Sequence, residues 1–365
     1  MMRISFFFFF VISFQLVNAQ ELVRTFHDEQ KLQVKEVYQK IDGIAQGDYR
    51  LYYEDGSLAV SGQLVDGKKE GLFVDFFPNS QDTLRTITYI NNQRQGPTTS
   101  YFQNGGISQK ADFVNNLLEG EVITFYETGE IKQKAEFKEN KPHGFSYEYD
   151  LDGKLIDKTP YQNGLLEGIK ESFDSDGRLI SSTTYRQGVI NGPQLSFFPD
   201  GKIRSKFNYK NGFQHGESLA YFPNGQLARE GKYKNGYPIG TSKSYYESGK
   251  LQESVTYKNG VPSGDLVSFF ENGQKKEIVS YNEKGMISKM LSFYENGQKE
   301  QELFFRNGKE EGTATKYYPS GVIRETLPYR YGLPNGFQKM YNENGELISE
   351  REFKDGRLIS SKEFP

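Results

Sequence analysis

The chain has 365 residues, with 45 Lys and Arg set against 48 Asp and Glu for a formal net charge of −3. Charges so balanced and interspersed give no concentrated basic surface, which excludes recognition of nucleic acid through phosphate contacts. Cysteine and tryptophan are absent while 38 glycines accompany 29 Phe and 25 Tyr, so disulfides and thiolate metal sites are excluded and the composition is that of turns and strands.

Residues 1–19 read as a secretory signal. Arg3 supplies the positive start, Ile4 to Phe14 an apolar run too short to span a bilayer, and Val17-Asn18-Ala19 a small-residue cleavage site. The expectation is an exported chain, periplasmic, cell-surface or secreted after cleavage near Ala19. Residues 20–46 read as an N-terminal cap, with Leu32, Val34, Val37 and Tyr38 in one strand and Asp42-Gly43 as a turn. His27, Asp28 and Glu29 stand together there, but without partners at ligand spacing they read as a solvated segment rather than a metal site.

Residues 47–360 repeat. A turn glycine recurs every 24 residues from Gly105 through Gly225 to Gly345. An aromatic stands four residues before each, as at Tyr101, Tyr221 and Tyr341, and another eight residues after, as at Phe113, Tyr233 and Phe353. A connector glycine opens each repeat, as at Gly47, Gly71, Gly216 and Gly240. A fixed period held this long marks a repeat array rather than a globular domain. Two places break the rhythm. Phe76 to Gln81 lacks the turn glycine and adds a residue, and the tract from Asn282 shifts the glycine and puts Ser288 where a connector glycine belongs. Residues 361–365 form a short C-terminal tail.

Within the repeat, Pro223-Asn224-Gly225 suits a type I turn closing on a left-handed glycine, the three-residue hairpin loop with a G1 bulge. Simple alternation along both strands then sorts the side chains. One face collects Leu219, Tyr221, Leu227, Gly231 and Tyr233, and the other Ala220, Phe222, Gln226, Ala228, Glu230 and Lys232. On that second, charged face one aromatic stands beside the turn in eight repeats: Phe102, Tyr126, Phe198, Phe222, Tyr246, Phe270, Tyr294 and Tyr318. These eight are the candidate partner-binding residues, although they would serve equally to pack neighbouring repeats. Asp150, Asp174 and Asn342 take the place in three others. A lone hairpin is marginal in water, so the repeats must shelter one another. The expected fold is all-β: an elongated, solenoid-like single antiparallel sheet of about thirteen stacked 24-residue hairpins.

The run Tyr-Phe-Pro-Asn-Gly-Gln-Leu-Ala-Arg-Glu-Gly-Lys-Tyr-Lys-Asn-Gly from Tyr221 to Gly236, followed by Gly240, resembles the MORN repeat in its bacterial variant form. That form is found in the YwqK antitoxin-like family. The resemblance covers residues 47–360 and implies a hairpin solenoid that serves as a scaffold, a dimerisation platform or a membrane-apposed module. The antitoxin label implies a toxin partner.

No catalytic constellation emerges. His143 and His215 both precede a connector glycine and so occupy one repeated position rather than one site. Carboxylates in register, such as Glu253, Glu277 and Glu325, would stand about 10 Å apart in successive repeats, too far for a glycosidase pair in a defined cleft. Asp152-Gly153 and Asp176-Gly177 lack the acidic ligands of a calcium loop. The reading is a non-enzymatic protein–protein interaction scaffold without cofactor, acting through a repeated aromatic and charged face. Its partner would be another protein, self-association included, with a glycan or membrane surface, or a toxin, as alternatives.

Overall fold

A computed structural model of the chain describes residues 19–365; the secretory reading of the N-terminus therefore lies outside the described residues, Ala19 excepted. Among the described residues every regular element is a strand, and 33 strands form an open antiparallel sheet. The described residues divide into two units, 19–165 and 166–365.

The repeat is clearest in the C-terminal unit. Strand Phe213–Tyr221 turns into strand Leu227–Lys234. Tyr221 lies opposite Leu227, Phe222 N donates to Gln226 O at 2.8 Å, and Gly225 N donates to Phe222 O at 2.8 Å. Gly225 has φ +88°, the left-handed conformation that reserves this place for glycine. This is the turn expected from Pro223-Asn224-Gly225. A second, tighter turn joins each repeat to the next. Lys234 faces Tyr237 across Asn235 and Gly236, both at positive φ, which is the two-residue loop whose twist matches the strands.

Two bulges interrupt the repeat, one in each of its ladders, and the first corrects the sequence reading. From the pair Tyr221–Leu227 the register passes to Ala220–Arg229, so Ala228 is an extra residue. The same shift follows Tyr101–Ile107 and Phe125–Ile131. A bulge of this kind turns two consecutive side chains to one side and inverts the alternation beyond it. Gly231 and Tyr233 therefore join Ser218, Ala220 and Phe222, while Glu230 and Lys232 pair with Leu219 and Glu217 on the side of Tyr221. The aromatic row and the charged row, expected on one face, lie on opposite faces. The second bulge sits at the connector glycine. Glu230 faces Lys243 but Lys232 faces Ile239, with Gly240 at φ +66° in between.

In the N-terminal unit, residues 20–41 form two paired strands, Gln20–Phe26 and Val34–Ile41, where one strand was expected. Their loop lacks the repeat's turn residues. Asp28 instead closes it by accepting the amides of Leu32 and Gln33 at 2.9 and 2.6 Å. The buried row of this unit includes Ala59, Phe73, Ile87, Ala111, Val122 and Ala135. Phe73 is its centre, 1% exposed, edge-on to Tyr89 at 5.1 Å and tilted against Tyr49 at 6.2 Å. Gly62 leaves room for it: a Cβ there would stand 2.5 Å from the Phe73 ring.

The buried row of the C-terminal unit runs through Thr183, Val255 and Val279. Here the tract from Asn282 forms a second long turn, Asn282 N donating to Met286 O and Gly285 N to Asn282 O at 2.8 and 2.9 Å. It replaces the tight Asn-Gly loop, so the flanking strands, Lys275–Tyr281 and Ile287–Phe293, pair without a connector glycine.

Candidate partner-binding face

The eight rings singled out by sequence are all half-buried. They share a face with the bulged residue two places after the turn glycine's neighbour. Lys132 sits over the Tyr126 ring at 5.7 Å and Lys276 over Phe270 at 5.9 Å. Four of the eight are also tied to their neighbours. The hydroxyls of Tyr126, Tyr246, Tyr294 and Tyr318 donate to the carbonyls of Tyr149, Phe269, Tyr317 and Tyr341 at 2.7–2.8 Å. Each bond runs from one repeat to the next. Phe102, Phe198, Phe222 and Phe270 have no hydroxyl and so no such bond to give.

Where the ring is replaced, the same two backbone bonds close the turn and the side chain adds its own. Asp150 Oδ1 accepts the amides of Asp152 and Lys154 at 3.0 and 2.8 Å, and Asp174 Oδ1 those of Asp176 and Arg178, both at 2.9 Å. Asp174 ionises more easily than a free carboxyl because the Arg178 amide bonds it, with the Arg178 guanidinium adding to the effect. These carboxylates are engaged by their own loops. His27 Nε2 lies 2.9 Å from the Tyr52 carbonyl, beside the loop that Asp28 closes. His143 and His215 do hold one repeated position, each with Nδ1 buried and without a hydrogen-bond partner.

Beyond the rings, the face carries a row of cross-strand pairs that differs from repeat to repeat. Asp75 and Arg85 form an ion pair at 2.6 Å. Ser196 and Ser205 share a hydrogen bond at 2.6 Å. Lys316 Nζ and Gln338 Nε2 both bond Glu325, at 3.0 and 2.7 Å. Burial works against ionisation of Glu325, but those two donors and nearby Arg324 outweigh it and hold its carboxyl below the ordinary value. On the opposite face Tyr245 donates to Glu230 at 2.7 Å, with Lys243 3.3 Å from the same oxygen. Burial and the Glu230 bond push the Tyr245 hydroxyl up to about 12.

In the C-terminal unit this face opens into a groove of about 520 Å³. Ser218, Ala220 and Ala228 line it with small side chains, the rings of Phe222, Tyr209 and Tyr233 stand around them, and Arg229 reaches in. A smaller hollow of about 210 Å³ continues from Arg229, Tyr233 and Ser244. Of these residues only Phe222 is among the eight candidates read from the sequence. Arg229 stands where other repeats carry Gln109, Gln133, Ser181 or Ser205, and that departure was the one signal available.

Comparison with known proteins agrees with the hairpin repeat. No curated protein matches the sequence. Two solved structures, titled "Crystal Structure of TcdB2-TccC3" and "Crystal Structure of TcdB2-TccC3-Cdc42", overlap 92% of this chain at 12% and 10% identity with a TM-score of 0.16 each. The chain spans 23% of their length, and an overlap at that score supports nothing about this fold. The family described as the MORN repeat variant matches residues 118–139, 190–211, 214–235, 238–259, 262–283, 288–307, 310–331 and 334–355. Between residues 118 and 355, then, the chain carries the MORN repeat variant in eight matched segments.

Proposed function

We propose that the chain is a non-enzymatic interaction scaffold, acting outside the cytoplasm, that engages a protein partner through its ring face. The observation that carries this reading is the contrast between a uniform backbone and a variable face. Turns and bulges recur from repeat to repeat, while the residues between the rings change from ion pair to hydroxyls to open groove. Rigid aromatic rings beside changeable polar groups are the composition of interface anchors. The MORN repeat variant supports a binding module in general terms, and the signal-like N-terminus supports export.

The test is capture from envelope extract on the immobilised chain, run beside the Phe102→Ala and Phe270→Ala variants. A partner held by the unaltered chain and lost by the variants at unchanged melting temperature supports the proposal. Recovery of no protein by the unaltered chain overturns it. Recovery of a toxin encoded beside this gene would place the scaffold with antitoxins of the YwqK kind.

A further inference from the structure

We propose that the groove at Arg229 binds a carboxylate-bearing sugar of the uronic acid class, within a glycan chain. The inference rests on the reading of the ring face as a binding surface, and it names the ligand for one place on it.

The first argument is an unanswered charge. Asp75 and Arg85 occupy the same cross-strand pair of the repeat as Ala220 and Arg229. In the first pair Asp75 holds the guanidinium at 2.6 Å. In the second, alanine has taken the acid's place, and Arg229 is left exposed, its guanidinium with no ion pair or hydrogen bond among the described residues. A guanidinium is built to meet a carboxylate with two parallel bonds; Glu253, which borders the smaller hollow with Arg229, makes no ion pair with it, so that bidentate place is open to a ligand.

The second argument is the floor. Ser218 stands where other repeats place Phe73, Val122 and Leu266, and the groove of about 520 Å³ lies over it. Rings on both sides and a small-residue floor suit a flat ligand with apolar faces, and a pyranose presents its C–H faces to aromatic side chains.

The third argument separates sugar from peptide. The strands under the groove pair with a neighbour on each side, as Phe213–Tyr221 and Leu227–Lys234 do. Their amides and carbonyls are therefore spent in the sheet, and an extended peptide lying on the face would find no main-chain partners for its own. Sugar hydroxyls need only side-chain groups, and Gln214, Ser244, Gln252 and the tyrosine hydroxyls border the groove.

The probe is trigalacturonate, titrated calorimetrically into the full chain beside its uncharged counterpart, trigalactose, and triglutamate. Trigalacturonate should bind, and Arg229→Gln should weaken it at least tenfold while the chain melts unchanged. Ala220→Asp, which rebuilds the Asp75–Arg85 arrangement inside the groove, should weaken it as much, and Ser218→Leu should abolish it. The proposal is overturned if trigalacturonate fails to bind, if Arg229→Gln leaves its affinity intact, if trigalactose binds as tightly, or if triglutamate binds as tightly. Phe102 and Phe270 stand outside the groove, so loss of the protein partner in their variants and loss of the sugar in these report on the two proposals separately.

Discussion

One place in the repeat is occupied by Phe73 in the N-terminal unit and by Ser218 in the C-terminal unit. The backbone under the two is alike: Phe73 lies opposite Ile87, Ser218 opposite Gly231, each the third pair inside the same bulge. Around Phe73 the side chains close to a packed centre that is 1% exposed; around Ser218 they leave a groove. The hairpin thus does not depend on a filled face. Its ladder bonds, turn glycines and repeat-to-repeat contacts hold without one, and the face is free to be core in one repeat and recess in another.

The largest expected effect breaks the comparison at its packed end. Phe73→Ala should destabilise the N-terminal unit by about 3–5 kcal/mol, the cost of a large buried ring and the cavity it leaves. Ser218→Ala should change stability by less than about 0.5 kcal/mol. Denaturant unfolding, with hydrogen exchange over residues 58–90 as the local readout, checks both; equal costs would show that the two places are not different in kind.

A middle-sized effect concerns the ties between repeats. Tyr246→Phe keeps the ring and removes the hydroxyl that reaches the Phe269 carbonyl at 2.7 Å. A loss of about 1 kcal/mol is expected from one hydrogen bond. No change on thermal melting would reduce this ring to packing and bring it level with Phe222 and Phe270.

The smallest effect is acid sensitivity in the C-terminal unit. Glu302 is held below its ordinary value of 4.5, chiefly by the Lys289 bond and then by Lys299, with burial opposing them. Lys289 approaches it at 2.7 Å. A carboxyl whose folded value is depressed contributes stability that is present above its unfolded value and lost as pH falls through the folded one. The contribution is therefore complete above about pH 4.5 and fades below it, and solvent screening keeps it under about 1 kcal/mol. Glu302→Gln should flatten the fall of melting temperature below pH 4.5 relative to the unaltered chain, and an unchanged slope would remove Glu302 from the account.

Much of this molecule was legible in its residues because turn chemistry is local. Pro223-Asn224-Gly225 specifies a loop closing on a left-handed glycine, and that conformation is found at Gly225. Asn235-Gly236 carries an equally plain signal for the tight loop between repeats. The strand pair over residues 20–41 was harder to see, since its loop is held by the side chain of Asp28 rather than by turn residues. Of the candidate site, the eight rings were found but their surroundings were not. The hydroxyl of Tyr246 finds its acceptor 23 residues onward, a distance at which no local pattern speaks.

By itself the sequence determined the period, the strands and the long turn, because each depends on backbone preferences settled within a few residues. Which face each side chain takes was decided only in the sheet. One extra residue at Ala228 inverts everything beyond it, and that residue is extra only relative to the strand it pairs with. The groove at Arg229 was decided there too, since an empty space and an unpaired charge are properties of neighbours that lie across strands.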